Sequence, residues 1–500
     1  MDSSILKISG DIGDQGAQLF SYYSYIPISL CCLFLFLFWI QYLNKDSKAF
    51  SYFKLILLSA IAVIAIRGGL QEKPIKISNA LVLGDTRLAD LALNTPFVLL
   101  QSSRTQEKLS VYNEFTQAEA SLYLRNNRPQ LKQPFDRKRI GGEPENVVLF
   151  ILESFGTEYQ NNYKFLNSLK PQAWSFDRHF ANGRTSIEAV PALLAAFPSL
   201  TEHPMITSVY ATSELKGLPV INDKIKNKKQ FLFMHGARTG SMYFDSYTRF
   251  LGFQDYIGKE NYNGSKEALY DWGVHDHAFF DYSGSYLDAL RKPFFASIFS
   301  LSSHQPYTIP KEFESQVSQD ISPYEKSLQY ADKSLELFFA KYKNKAWFKK
   351  TLFIFTGDHT SVCHEDFCSE LGSYRVPLLL YRGDGSLKSK TILKTTQHAD
   401  IAATVADLWG QDSSNLLPLG HSILDASDLG MAFFRNHGEW QMLQGNDFYK
   451  LNEEVLTHCQ IQGVLESNCI VSNQAEPLKM LQALRSYYTQ SLQKRSFIVR

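Results

Sequence analysis

The chain has 500 residues, room for about three average domains or one large domain with attachments. Lysine and arginine number 51 against 50 aspartates and glutamates, a net charge of +1 that argues against a nucleic-acid partner. The balance of 44% hydrophobic to 20% charged residues excludes disorder as the dominant state, and six cysteines are too few for a disulfide scaffold.

No charged residue occurs between Asp14 and Lys45. Residues 25–43 inside that gap are apolar and long enough, at about 1.5 Å per residue, to cross a hydrocarbon layer about 30 Å thick. Tyr22, Tyr23, Tyr25, Trp39 and Tyr42 sit at the ends of the stretch, where amphipathic rings prefer the interface. A second apolar run at 55–66 is shorter and is extended by Lys54 and Arg67, which can snorkel. The start carries Asp2, Asp11 and Asp14 against Lys7, unlike a cleaved signal peptide. Between the two runs lie Lys45, Lys48 and Lys54, so the positive-inside rule places that loop in the cytoplasm and everything after Arg67 outside. The pairs Cys363/Cys368 and Cys459/Cys469 are spaced closely enough for an oxidising compartment to join them.

Residues 71–144 mix helical patterns with a polar linker. From Asn146 the texture changes to short, near-continuous apolar runs at 147–152, 231–235, 293–301, 351–359 and 376–381. Such runs suit strands buried on both faces. Helical patterns lie between them, which predicts an α/β fold: a doubly wound, mostly parallel sheet. After about Asp425 the pattern predicts small antiparallel strands and a final amphipathic helix, an α+β subregion.

Ligands of such sheets bind beyond the carboxyl ends of the strands, so the polar residues that follow each run are the candidates. These are Glu153, His235, His304, and Asp358 with His359. Thr185 and Ser186 stand at the predicted start of a helix, where free N–H groups and the dipole attract phosphate. Taken alone, Thr185 reads more readily as a helix cap with Glu188 as its partner than as a functional hydroxyl, and Ser186 could cap too.

The segments FILES, NGRTSIEAVPALLAAFPSL, HGARTGSMYFD, LGFQDY, DWGVHDHAFF, FFASIFSLSSHQPY, FTGDH and QHADIAATVADLWG follow one another in an order that resembles lipoteichoic-acid-synthase-like proteins. These are membrane-anchored phosphoglycerol and phosphoethanolamine transferases of the alkaline phosphatase/sulfatase superfamily. The two apolar runs predict a membrane anchor over 1–70 with two transmembrane helices, where the best-studied family members carry about five. The resemblance implies a catalytic domain over 145–425 that strands and a helix over 426–500 complete. It implies a divalent metal, Mn²⁺ or Zn²⁺ with Mg²⁺ as a further option, held by Glu153, Asp358, His359 and Thr185. By the same resemblance Thr185 is the nucleophile, His304 contacts the substrate phosphate and protonates the leaving group, and Arg184 offsets phosphate charge.

The implied reaction transfers a head group from a membrane phospholipid to an envelope glycan or lipid through a phospho-threonine. The alternative is a hydrolase with water as acceptor. The implied location is the bacterial plasma membrane, multi-pass, with the catalytic domain on the outer side. Some members carry an arginine where this chain has Phe244, so the head group stays open. The Cys-x-Pro-x-Arg context needed for formylglycine is absent around Thr185, which counts against sulfate-ester hydrolysis. His398, His275 and His277 read as structural.

Overall fold

The computed structural model describes residue 35 and residues 52–69, 75–93, 97–98, 109–127, 140–220, 223–361, 367–411, 416–424 and 429–499. The chain divides into two compact units, Met1–Lys76 and Ile77–Arg500. In the first, the second apolar run forms α1 (Tyr52–Arg67). Gly68 and Gly69 close it in positive-φ conformations that side chains disfavour. Its 16 residues rise only about 24 Å. No described helix is long and apolar enough to cross a membrane, so the expected pair of spans is not met by any of them. The first expected span, 25–43, lies outside the described residues apart from Leu35.

The second unit is built on β1 (Asn146–Leu152), β2 (Ala173–Phe176), β3 (His179–Phe180), β4 (Gln230–His235), β5 (Asp255–Ile257), β6 (Phe294–Phe299), β7 (Thr351–Gly357), β8 (Leu378–Arg382), β9 (Lys390–Ile392) and β10 (Thr396–Gln397). Eight of them form one sheet in the order β5-β4-β6-β1-β7-β8-β2-β9, and β3 pairs with β10 separately. Every pairing in the large sheet is parallel except those of β8 with β7 and β2. The sheet is therefore mostly parallel, as expected, with one reversed strand that the apolar run at 376–381 did not announce.

Side chains alternate across β1. Val147, Leu149 and Ile151 join one core with residues of α3 (Ser186–Ala195), α6 (Asp400–Leu408) and α7 (Ala475–Gln493). Val148, Phe150 and Leu152 join a second core with α4 (Asp276–Asp288) and α5 (Pro323–Tyr342). Both faces are covered, which explains the unbroken apolar runs. Phe150 sits centrally, its ring 5.3 Å from Phe280, 5.4 Å from Phe338 and 5.3 Å from Phe355. Cutting it to Ala would cost about 3–5 kcal/mol.

After the sheet, β11 (Ala432–Asn436), β12 (Glu439–Gln444), β13 (Asp447–Asn452), β14 (Val455–Gln462) and β15 (Leu465–Val471) form an antiparallel meander. A disulfide between Cys459 and Cys469 ties β14 to β15 across a Cα separation of 4.1 Å. Cys368 is disulfide-bonded as well, and Cys363 lies outside the described residues. Before the sheet, Tyr112, Glu114 and the start of α2 (Gln117–Asn126) dock on α7. Arg485, fully buried there, pairs with Glu114 and Glu454 under the ring of Tyr112.

Asp332 of α5 is buried and accepts the backbone N–H groups of Phe165 (2.6 Å) and Leu166 (3.0 Å), capping a short helix in trans. Burial pushes its carboxyl up to about 7, against the opposing pull of those two N–H groups. Between the ordinary carboxylate value and about 7, the folded chain thus holds a proton that the unfolded chain has released. Stability from this group falls as pH rises through that window. Thermal melts between pH 4.5 and 8 should show wild-type stability falling more steeply than that of Asp332→Asn; parallel curves would contradict the shift.

Candidate active site

The β1–β7 register sets Leu152 opposite Gly357, so the next residues on each strand, Glu153 and Asp358, emerge side by side at the carboxyl edge. The Asp358 N–H donates to the Leu152 carbonyl at 3.0 Å and continues the ladder one step past the strands. Gly357 has to be glycine. A Cβ there would lie 2.1 Å from the Phe155 carbonyl oxygen, and that close approach lets the two turns share the edge.

Glu153 is 3% exposed and Asp358 fully buried. One ligand atom from each of Glu153, Asp358 and His359 falls within a cluster whose members all lie within 4.8 Å of one another. At that spacing two carboxylate charges repel by about 3 kcal/mol with an effective dielectric of 20, and more in a drier interior. The surrounding chain offers only partial relief. Ser154 donates its N–H to Asp358 Oδ1 at 2.7 Å and its hydroxyl to Glu153 Oε1 at 2.9 Å, and the His359 N–H also reaches Asp358 Oδ1 at 2.7 Å. Asp358 Oδ2, buried, has no hydrogen-bond partner.

The protonation pattern follows from the same crowding. Burial and the charge of Glu153 push Asp358 up to about 7. Burial also pushes Glu153 up, but the His359 hydrogen bond and charge outweigh it and hold that carboxyl at about 2. His359 is lifted to about 10, because the two carboxylates overcome the burial that would lower it. Its Nδ1 faces the Thr360 carbonyl at 2.6 Å and must carry a proton there, since a carbonyl only accepts. Nε2 is left turned to the cluster, 3.4 Å from Asp358 and 3.6 Å from Glu153. Two buried carboxylates, an orphaned oxygen and an inward imidazole nitrogen fit a divalent cation of the Mn²⁺, Zn²⁺ or Mg²⁺ kind.

The structure separates the two candidate hydroxyls. Thr185 is the residue before α3, in extended conformation, and its hydroxyl donates to Glu188 at 2.9 Å. The same Glu188 oxygen accepts the N–H groups of Arg184 (2.8 Å) and Thr185 (3.1 Å). Ser186, the first helical residue, is 4% exposed and donates to Glu153 Oε2 at 3.1 Å, with His359 Nε2 at 3.5 Å. The two hydroxyls thus have different partners, Glu188 for Thr185 and Glu153 for Ser186, while both residues line the same pocket over the cluster. The Arg184 guanidinium bonds the Ser373 hydroxyl at 2.6 Å and stacks over Tyr374.

A pocket of about 520 Å³ opens over the cluster, lined among others by Thr185, Ser186, Met242, His304 and Tyr307. No lysine or arginine among the described residues lines it. His304 Nδ1 faces the Gln305 carbonyl at 2.8 Å, so that nitrogen is protonated and Nε2 is the free one. Ser154, Met242 and Tyr307 in this lining have positive φ (58°, 52° and 64°), conformations that cost about 1 kcal/mol or more and concentrate at functional sites. A larger groove, about 990 Å³ between α4 and α5, contains no comparable cluster among the described residues.

The remaining histidines are supports. His398, read as structural from sequence, donates Nε2–H to the Gly357 carbonyl at 2.8 Å and so steadies the turn that carries Asp358. His235 is buried against Phe299, and burial pushes it down to about 4. His275 stacks on Tyr270, and His277 bonds the Tyr330 hydroxyl at 2.6 Å. Sequence reasoning passed over Ser300, whose hydroxyl accepts the Glu153 N–H at 2.8 Å, and Asp276, which accepts the N–H groups of Leu301 (2.7 Å) and Ser302 (3.2 Å). Neither has a local signal beyond its place after a strand or at a helix start.

A sulfatase family model matches residues 145–411. Lipoteichoic acid synthase 2 of Bacillus subtilis is 25% identical over 362 residues, which cover 67% of this chain and 54% of that protein. The chain spans about half the length of such curated relatives. A protein in the alkaline phosphatase superfamily from Vibrio parahaemolyticus superposes with a TM-score of 0.64 at 18% identity, covering 77% of this chain and 98% of that one. A lipoteichoic acid synthase from Listeria monocytogenes does so with a TM-score of 0.63 at 18% identity, covering 76% and 97%. The two superpositions establish the fold.

Replacing a direct ligand should weaken metal binding beyond the 10–100-fold typical of outer-sphere changes. Titration of the apo chain with Mn²⁺ and Zn²⁺ against a chelating indicator should show at least a hundredfold loss for Asp358→Asn; unchanged affinity would move the metal elsewhere.

Proposed function

We propose, from the premise that this chain belongs to the sulfatase family, that it is a metal-dependent transferase moving a phosphoglycerol or phosphoethanolamine group from a membrane phospholipid to an envelope glycan or lipid. The observation that carries this reading is the Ser186 hydroxyl lying on the Glu153–Asp358–His359 cluster. The likeness to lipoteichoic acid synthases supports the substrate class. The apolar α1 and the stretch at 25–43 support attachment to a membrane, with the catalytic unit on its outer side.

Glu153, Asp358 and His359 would hold the divalent metal, which would supply positive charge to lower the hydroxyl pKa and offset charge on the phosphate. Ser186 Oγ, deprotonated, attacks the donor phosphorus. An Oγ–P bond forms, the bond from phosphorus to the diacylglycerol oxygen breaks, and His304, entering this step protonated on both ring nitrogens, delivers its Nε2 proton to that oxygen. In the second step His304 takes the proton from an acceptor hydroxyl, the acceptor oxygen bonds phosphorus, and the P–Oγ bond breaks to restore Ser186. Thr185 and Glu188 keep the start of α3 in place. A pocket with no lysine or arginine among its described lining residues suits the single charge of a phosphodiester better than the double charge of a monoester.

Membranes containing the full chain, supplied with phosphatidylglycerol and phosphatidylethanolamine labelled in the head group, should pass label to an acceptor and release diacylglycerol. Ser186→Ala should lower this turnover at least about a thousandfold, and Thr185→Ala by far less, since it loses a cap. The reverse ranking would return the nucleophile to Thr185. Label released only as free head group would favour hydrolysis. His304→Gln should slow release of diacylglycerol, and less so for a donor analogue with a nitrophenolate leaving group, which needs no proton.

A further inference from the structure

Trp272 stands at the rim of this site with no assigned task. Its indole is 42% exposed, and its ring centroid lies 4.3 Å from that of His304. Its N–H donates to no protein group among the described residues.

The position is firmly built. Tyr270 and Gly273 exchange N–H···O bonds of 2.9 and 3.1 Å, closing a two-residue turn with Asp271 and Trp272 at its tip. The Tyr270 ring stacks on His275 at 4.3 Å, and its hydroxyl donates to the Leu301 carbonyl at 3.3 Å, on the segment that leads to His304. A Cβ on Gly273 would lie 2.2 Å from the Gly236 carbonyl oxygen, so the turn is pressed against the end of β4. A rigid turn that holds a large aromatic face in water beside a reactive histidine is a typical ligand platform.

The chemistry of the proposed reaction indicates which ligand. In-line displacement puts the leaving oxygen on the side of phosphorus opposite Ser186, and the acceptor oxygen enters from that same side. His304 serves both oxygens, so the ring beside His304 lies where the acceptor's body must sit. A fixed planar indole matches the flat C–H face of a sugar ring better than a linear polyol. Asp271 and Gln305, both exposed next to it, offer hydrogen-bonding groups to ring hydroxyls.

We infer that Trp272 is the platform of an acceptor subsite that takes a hexose ring, placing one of its hydroxyls at His304 Nε2. The inference rests on the transferase reading above. In the second step, that hexose oxygen bonds phosphorus, its proton passes to His304, and the P–Oγ bond to Ser186 breaks.

The test uses the full chain in detergent with head-group-labelled phospholipid and two acceptor probes of equal alkyl length, octyl glucoside and 1-O-octylglycerol. Trp272→Ala should raise the KM for octyl glucoside about tenfold or more, with a smaller change for octylglycerol, and Trp272→Phe should recover most of the loss. Equal losses toward both probes, or no change in KM, would overturn the subsite while leaving the transferase intact. Label released by the wild type only to water would overturn the transferase reading and the subsite with it. Recovery in Trp272→Phe separates loss of the platform from loss of the fold.

Discussion

Two carboxylates forced together out of water are the constraint on which this molecule turns. Parallel pairing of β1 with β7 leaves Glu153 and Asp358 neither distance nor solvent to dilute their repulsion. The chain answers with donors from Ser154 and His359, and still leaves Asp358 Oδ2 without a hydrogen bond, facing His359 Nε2 at 3.4 Å. A site of this kind is unfavourable as a purely structural feature and favourable once a cation sits in it. The burial cost is carried by the large cores on both faces of the sheet, and the rings around Phe150 pack on one face of the strand that leads to Glu153.

Everything near the cluster is arranged to keep it from relaxing. Gly357 admits the Phe155 carbonyl, His398 holds the Gly357 carbonyl from the other side, and Ser300 ties Glu153 to the end of β6. The Tyr324 hydroxyl donates to the carbonyl of Ser154, a residue held at positive φ. Asp276 grips the turn after β6 that leads to His304. These contacts come from five separate stretches of chain, so the geometry depends on the whole sheet being assembled and not on any one loop.

The start of α3 shows how finely such a site discriminates. Thr185 and Ser186 are adjacent and chemically alike, yet one is exposed and bonded to Glu188 while the other is buried on the carboxylates. A residue before a helix has extended backbone and aims its side chain at the third helical residue; the next residue has already turned through the first helical step. One position along the chain redirects the hydroxyl from the cap to the cluster.

The strand-end residues were legible from sequence because a strand buried on both faces writes an unbroken apolar run, and its first polar residue marks the carboxyl edge. Glu153, Asp358, His359 and His304 could be found in that way, as could the α/β alternation and the C-terminal strands. The reversal of β8 could not, because a buried strand looks the same in either direction. Nor could the different partners of the Thr185 and Ser186 hydroxyls, the turning of Arg184 toward Ser373 and Tyr374, or the length of α1, which Gly68 and Gly69 end early. The opening near-equality of 51 basic and 50 acidic residues excluded a partner class but located no charge. By itself the sequence determined which residues could carry chemistry, since burial and periodicity are written locally. Only the tertiary structure decided which of them meet, because meeting depends on strand register and on the angle at which one helix begins.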